Sequence, residues 1–509
     1  MTARTWAVAL TGVSGAMIDV EADLSQQTPG FDLIGLADRA LGEAVRRVHN
    51  ACRNSGLDLP RRKLTVNLSP ASLPKHGSAF DLAIAIAALG TEGGLDASSL
   101  ARTVHLGELG LDGRLRPVMG VLPALHAARQ AGFDRAVVPF ANEAEARLVP
   151  GIEVHAAASL AHVALLHGAE IADPGCPEPV LIPERLEREA PTDELSDVIG
   201  QDDAVAALVV AAAGGHHVLL TGPPGAGKTM LARRLAGILP DLDEDEALEA
   251  TSIRSLMGEP QTRLDLRPPF VAPHHSASIA ALIGGGSSIP RPGAIARAHT
   301  GLLFLDEAAE APRAVLDALR QPLESGTIEI HRSEFTSRFP ARFQLVLATN
   351  PCPCGVYGVV GEECVCPPSA IRRYAARLSG PIRDRLDIDV HVGRVSAADA
   401  ARQERGTLTT AEARARVIEA RERAARRWRD LPWRRNAHVP GTWLRQGDRR
   451  LPADARAPLD RALQRGAITL RGYDRVLRLA WSVADLDGAD TPRLAHVGRA
   501  LFLKKGITA

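Results

Sequence analysis

One stretch of the chain constrains its fold more than any other: a glycine-rich loop that directly follows a short apolar run. The run His217–Thr221 has the composition of a buried strand. The loop after it matches the full phosphate-loop pattern, whose N–H groups close around phosphate oxygens at the start of a helix. The pattern predicts an α/β core that binds ATP, with Lys228 reaching the β- and γ-phosphates and Thr229 ligating Mg²⁺. The predicted nucleotide-binding positions are Gly222, Pro223, Pro224, Gly225, Ala226, Gly227, Lys228 and Thr229.

Two later apolar runs end in polar residues suited to the same chemistry. Gly301–Leu305 is followed by Asp306 and Glu307, and Phe343–Thr349 is followed by Asn350. Because the carboxyl ends of parallel strands share one edge of a sheet, we expect these side chains near the phosphate loop. We predict that Asp306 holds the Mg²⁺ shell, that Glu307 polarises the attacking water and that Asn350 orients that water. The alternative for Asn350 is that it caps the loop that follows.

Length and composition divide the chain. Its 509 residues predict about three domains, and 45% apolar with 24% charged residues exclude global disorder. The expected plan is a mixed α+β domain, a Pro- and Glu-rich linker, a parallel α/β ATPase core and a basic helical lid domain. Their ranges are 1–170, 171–195, 196–395 and 396–509. Without a secretory signal or a span of 18 apolar residues, we expect a cytoplasmic protein that does not enter a membrane.

Charge is unevenly distributed although the whole chain is neutral. Residues 401–509 hold 24 Lys and Arg against 12 Asp and Glu, a net charge of +12. A basic C-terminal module favours a polyanionic partner, nucleic acid first. The alternative is a solvated helical surface, since Arg greatly outnumbers Lys throughout this chain.

Four segments make the chain similar to a known family. Residues 197–201 resemble the usual entry to an AAA+ ATPase core, and residues 267–278, 292–299 and 350–355 resemble those of the YifB/ComM family, in the magnesium-chelatase-like branch of AAA+ ATPases. The resemblance implies an AAA+ phosphate-loop core with a helical lid. It also implies a homo-oligomeric ring, a hexamer, that acts on single-stranded or branched DNA as a helicase in recombination or natural transformation. The alternative that the resemblance leaves open is a motor that remodels proteins, as the magnesium-chelatase motor does.

The same resemblance points to arginines that complete the ATP site. Residues 379–387 occupy the place where relatives carry the arginine that reaches a neighbouring subunit's nucleotide; Arg385 is favoured and Arg383 is the rival. Residues 468–475 resemble the segment with the sensor arginine of the lid. Arg471 is favoured there, with Arg475 and Arg478 as alternatives.

The N-terminal domain resembles the Lon-protease-like fold through residues 66–82 and 107–118. That protease uses a serine activated by a lysine. Here Pro123 stands where the lysine is expected, and Ser78 lies one place before the nucleophile position, at Ala79. We therefore expect a domain without protease activity.

Four cysteines are concentrated in the predicted insertion 351–368, directly after Asn350. They are Cys352, Cys354, Cys364 and Cys366. Four thiolates can fill a tetrahedral Zn²⁺ shell, so the spacing predicts a structural zinc site. Disulfides, and a loop-forming role without metal, are the alternatives.

Two segments are candidate DNA surfaces. Residues 325–343 predict a hairpin, and related helicases carry a pore hairpin at this place. Arg332 and Arg338 would meet phosphates there, unless the hairpin is simply solvated. Residues 421–435 interleave tryptophans with arginines, which suits either base stacking or Trp packing beneath an Arg-rich helix.

Overall fold

A computed structural model describes residues 2–35, 39–73, 75, 77–171, 177–181, 193–259, 261–286, 290–331, 336–359, 361–395 and 408–505. Most of the predicted linker 171–195 lies outside the described residues, and so does Arg332. Within the described parts, no helix is both long and apolar enough to cross a bilayer.

The N-terminal part is a mixed sheet of seven strands with helices packed on it, in the order β3-β4-β2-β1-β5-β8-β9. Its strands alternate buried and exposed residues, as Leu64, Val66 and Leu68 do in β4, because successive side chains point to opposite faces. The mixed α and β structure predicted for residues 1–170 is confirmed. Its strands are β1 (Ala3–Thr11), β2 (Ser14–Ser25), β3 (Gly30–Ile34), β4 (Lys63–Ser69), β5 (Thr103–His105), β6 (Glu108–Leu109), β7 (Leu115–Arg116), β8 (Arg135–Pro139) and β9 (Glu153–Ala157). Its helices are α1 (Arg39–Asn54), α2 (Asp81–Gly90), α3 (Ala97–Arg102), α4 (Val121–Gln130), α5 (Glu143–Ala146) and α6 (Leu160–Leu166).

The middle part is built on a five-stranded sheet with the order β11-β14-β17-β10-β18, in which every neighbouring pair is parallel. Its central strands are buried almost throughout, as expected for a parallel sheet covered on both faces. The predicted α/β core is confirmed. Its strands, including two small hairpins, are β10 (Val218–Thr221), β11 (Phe270–Val271), β12 (Gly284–Gly285), β13 (Arg291–Pro292), β14 (Leu302–Leu305), β15 (Thr327–His331), β16 (Thr336–Pro340), β17 (Gln344–Thr349) and β18 (Ile388–His391). Its helices are α7 (Asp202–Gly214), α8 (Lys228–Gly237), α9 (Glu244–Ser255), α10 (Ile279–Ile283), α11 (Ala294–Arg297), α12 (Arg313–Ala318), α13 (Arg320–Ser325), α14 (Pro368–Ala375) and α15 (Gly380–Arg383).

The C-terminal part is helical and packs against α7. Trp428 is 1% exposed, and its ring meets those of Trp443 and Trp481 edge-on. Arg421 donates to the carbonyl of Ala212 at 2.9 and 2.7 Å. For these two residues of 421–435, the packing alternative is therefore the correct one. The helices are α16 (Thr410–Arg427), α17 (Gly441–Leu444), α18 (Ala453–Gln464), α19 (Leu470–Leu486) and α20 (Leu494–Lys505).

The contacts between the N-terminal part and the core include two close backbone approaches. α4 packs on α9, where the N–H of Gly120 donates to the Ser255 carbonyl at 3.3 Å. Gly12, between β1 and β2, approaches the hairpin β15–β16 so closely that an added Cβ would lie 2.2 Å from the Arg338 carbonyl oxygen. Only glycine fits this contact, which holds one face of the hairpin against the N-terminal sheet.

Candidate nucleotide site

The phosphate loop joins β10 to α8. Gly225 and Gly227 adopt φ values of +76° and +89°, which glycine tolerates without strain. The Lys228 ammonium donates to the carbonyls of Gly222 at 2.7 Å and Pro223 at 2.9 Å. Burial lowers the pKa of Lys228, opposed by the charges of Asp306 and Glu307. The lysine is thus held inside the loop, at the position predicted to meet the β- and γ-phosphates.

The strands bring the predicted polar residues to this loop. Thr229 donates its hydroxyl hydrogen to Asp306 Oδ2 at 2.6 Å, and Lys228 Nζ donates to Asn350 Oδ1 at 3.0 Å. A cavity of about 430 Å³ is lined by the phosphate loop together with Asp306, Glu307, Thr349 and Asn350. Backbone N–H groups, a lysine, a hydroxyl and carboxylates facing one cavity fit ATP with Mg²⁺, because Mg²⁺ prefers oxygen ligands and phosphates prefer N–H donors.

Glu307 has a contact that the sequence did not predict. Its carboxylate Oε2 lies 3.0 Å from His275 Nδ1, and its backbone has a positive φ of 49°. His275 falls in a segment noted above only for family resemblance. No local pattern connects it to Glu307; the signal lies in the pairing of β11 with β14.

The predicted interface arginines differ in exposure. Arg385 is 8% exposed and forms an ion pair with Glu324 of its own chain, whereas Arg383 is exposed. The prediction did not anticipate this intramolecular pair. In the single chain the Arg385 guanidinium is therefore bound to Glu324, which is itself 64% exposed.

The three candidate lid arginines also differ in their contacts and exposure. Arg475 pairs with Asp387 and donates to the Arg385 carbonyl at 2.9 Å, and Arg478 donates to the Val439 carbonyl at 2.6 Å. Burial opposes ionisation of Asp387, yet the charge of Arg475 holds its pKa well below its usual range. Arg471 is exposed. The described contacts connect none of the three arginines to the phosphate loop.

Ser78 and Lys75 of the N-terminal part form hydrogen bonds with different partners. Ser78 donates its hydroxyl hydrogen to Glu108. The Lys75 ammonium donates to the carbonyls of Gly35, Pro70 and Leu73 at 3.1, 2.6 and 3.2 Å. Pro123 lies buried in α4.

The four cysteines of the insertion come together as predicted. Their Sγ atoms all lie within 4.8 Å of one another, with Cys352 to Cys354 at 3.3 Å and Cys352 to Cys364 at 3.8 Å. Zn–S bonds of about 2.3 Å in a tetrahedron place sulfurs about 3.8 Å apart. The cluster therefore fits a zinc ion after small adjustments.

The predicted hairpin is present as β15–β16. Ile328, Ile330 and Phe339 are buried, while Glu329 and Arg338 are exposed and stand opposite each other across the two strands. Arg338 thus faces away from the core, beside one carboxylate.

Comparisons with known proteins agree with this arrangement. The family model described as magnesium chelatase, subunit ChlI, matches residues 194–400, that for subunit ChlI of Mg-chelatase matches 20–142, and the ChlI C-terminal model matches 407–504. Competence protein ComM of Haemophilus influenzae is 40% identical, over 96% of this chain and 95% of its own length. The chain belongs to the YifB/ComM family of magnesium-chelatase-like AAA+ ATPases.

Other relatives of the YifB/ComM family align just as completely. An uncharacterized protein of Mycobacterium tuberculosis is 47% identical over 99% of this chain and 98% of its own length. The uncharacterized protein YifB of Escherichia coli is 40% identical over 97% and 95%. As an AAA+ ATPase of this family the chain uses ATP and Mg²⁺, and the loop and carboxylates described above are the groups that would hold them.

Proposed function

We propose that the chain is the subunit of a ring-forming, ATP-driven motor that acts on DNA, single-stranded or branched, in recombination or natural transformation. The observation that supports ATP-driven activity is that one cavity is lined by the five predicted residues Lys228, Thr229, Asp306, Glu307 and Asn350. Similarity over almost the whole length to a protein named as a competence protein supports DNA as the substrate.

In the proposed reaction Glu307 takes a proton from water while the water oxygen attacks the γ-phosphorus. The bond from that phosphorus to the β–γ bridging oxygen breaks, and ADP and phosphate leave. Mg²⁺, when bound by Thr229 and Asp306, offsets charge on the phosphates. Lys228 contributes a second positive charge, and Asn350 orients the water.

The ring completes each site with arginines from neighbouring subunits. Arg385 is the proposed residue, with Arg383 as its exposed rival, and Arg471 is proposed as the lid sensor. An arginine supplied in trans stabilises charge on the transferring phosphoryl group.

Three further roles belong to the same proposal. Arg332 and Arg338 contact DNA phosphates, and the four cysteines hold a structural Zn²⁺. The Lon-protease-like N-terminal domain does not cleave peptides, because Pro123 stands where the activating lysine is expected and the nearby Lys75 is bound to three carbonyls.

A second candidate function is a protein-remodelling ATPase that does not translocate on DNA. The family models matching the core and the C-terminal part carry the name magnesium chelatase, which favours this class over an ATP-dependent protease.

The deciding experiment measures ATP hydrolysis with and without branched and single-stranded DNA at low salt. We expect DNA to raise the rate and salt to abolish the effect, because phosphate contacts release counterions. Lys228→Ala is the matched inactive control, since it loses the phosphate-binding ammonium. An ATP hydrolysis rate that DNA does not change would favour the protein-remodelling function instead.

A further inference from the structure

His275 stands beside the proposed general base because of strand register. β11 pairs in parallel with β14, Phe270 opposite Leu302 and Val271 opposite Leu303. His275 lies four positions beyond Val271, as Glu307 lies four positions beyond Leu303. Both residues lie beyond the carboxyl ends of neighbouring parallel strands, β11 ending at Val271 and β14 at Leu305, and their side chains meet with Nδ1 and Oε2 3.0 Å apart.

A second histidine supports the first. The rings of His274 and His275 have centroids 4.1 Å apart. His274 is itself fixed, because the N–H of Ser276 donates to its Nδ1 at 3.3 Å and the Ser276 hydroxyl bonds the same atom at 2.7 Å. The imidazole of His275 is thus packed against the His274 ring, in addition to its contact with the Glu307 carboxylate.

Glu307 is held in an unusual conformation at the edge of the nucleotide cavity. A positive φ costs a residue other than glycine about 1–3 kcal/mol and persists where neighbouring contacts impose it. Here the Glu307 N–H donates to Asp306 Oδ1 at 2.9 Å, and the Glu307 carbonyl accepts from Glu310 at 2.7 Å. These bonds fix the backbone of Glu307. Its side chain is 50% exposed, so a further contact is required to fix the direction of the carboxylate.

Glu307 and His275 line different cavities that adjoin each other. Glu307 lines the cavity of about 430 Å³ at the phosphate loop. His275 lines an adjoining cavity of about 210 Å³. Thr229 and Asp306 line both. The carboxylate therefore borders the nucleotide cavity while its histidine partner stands behind it.

We propose that His275 is a positioning residue for ATP hydrolysis: its Nδ1–H donates to Oε2 of Glu307 and leaves Oε1 for the attacking water. A carboxylate with one oxygen fixed presents the other in one direction, and orientation of this kind contributes strongly to rate. The inference rests on the proposed function, in which Glu307 is the general base.

The test compares two amides at position 275, without DNA. Asparagine places an N–H near the position of Nδ1, whereas glutamine places it near Nε2. We expect His275→Ala and His275→Gln to lower kcat about 10- to 100-fold at unchanged KM for ATP, and His275→Asn to restore most of the rate. His49→Ala, exposed on α1, is the neutral control, and thermal unfolding is measured for each variant.

The outcomes distinguish a failure of the role of His275 from a failure of the proposed function, in which Glu307 is the general base. An inactive Glu307→Gln with a His275→Ala that retains wild-type kcat would overturn the role of His275 alone. Equal rescue by Asn and Gln, or a loss that follows ATP affinity or unfolding temperature instead of kcat, would show a structural residue. Normal hydrolysis by Glu307→Gln would overturn the general base and this inference with it.

Discussion

At the residue scale, two buried histidines tie the stability of the N-terminal part to pH. His105 Nε2 lies 2.9 Å from His167 Nε2, and the other ring nitrogens contact the hydroxyls of Thr5 and Ser99. Burial lowers the pKa of His167 to about 4, and burial also sets the pKa of His105 well below its usual range. Both histidines are therefore neutral in the folded chain near pH 5.

Acidification should therefore destabilise this part between about pH 6.5, where an unfolded histidine titrates, and pH 4. In that window the unfolded chain binds protons that the folded chain does not, so stability falls by roughly 1.4 kcal/mol per pH unit for one such histidine. Denaturant unfolding of the wild type and His167→Gln at pH 7 and pH 5 checks this. The variant should lose less on acidification, and equal losses would contradict the assignment.

Single residues also show what the sequence could and could not predict. The contacts of Lys228, Thr229 and Asp306 follow from motifs whose geometry is local to one strand and one loop. The Arg385–Glu324 pair and the His275–Glu307 contact join residues far apart in the chain. They depend on how helices and edge strands pack, which no spacing in the sequence specifies.

At the element scale, the hairpin β15–β16 tests the DNA assignment. Arg332→Ala combined with Arg338→Ala should lower the slope of binding against salt by roughly one unit per lost phosphate contact, and it should remove DNA stimulation while basal ATPase stays near wild type. Glu329→Gln is the opposite control: it removes the carboxylate facing Arg338 and should strengthen binding. A double variant that binds DNA with an unchanged slope would exclude the hairpin.

The cysteine insertion gives a second test at this scale. We expect one zinc ion per chain, measured by metal analysis of protein purified under reducing conditions without chelator. Cys354→Ala should lose the metal, whereas Cys52→Ala, at a buried position in the N-terminal part, should keep it. Protein without zinc would favour a loop formed by the thiols alone.

The presence of a structural element was easier to predict from the sequence than the packing of its side chains. The paired spacing of the cysteines and the two β-rich arms of the hairpin are local signals, and the structure shows both the cysteine cluster and the paired strands. The role of residues 421–435 was open because an Arg- and Trp-rich helix has the same composition whether its rings face DNA or other tryptophans. Trp428 packs against Trp443 and Trp481, and Trp433 packs edge-on against Trp443, so packing decides this for both rings.

At the scale of the whole molecule, the proposed ring requires sites shared between chains. A subunit with Arg385→Ala keeps its own Glu307, and a subunit with Glu307→Gln keeps its own Arg385. Mixing two inactive proteins should therefore restore some ATPase, because one kind of interface in a mixed ring combines both intact residues. Co-assembly is verified by labelling the two proteins and measuring energy transfer.

The same mixing with Arg383→Ala distinguishes the two arginines. Arg385 is bound to Glu324 in the single chain, and a role in trans requires its guanidinium to contact the neighbour's nucleotide as well as, or instead of, Glu324. If Arg385 acts in trans, Arg385→Ala is inactive alone and recovers on mixing, whereas Arg383→Ala is active on its own; the reverse pattern would transfer the role to the exposed arginine. Co-assembled proteins that recover with neither variant would place both arginines within their own subunit, where Arg385 and Glu324 simply anchor α13 ahead of the hairpin.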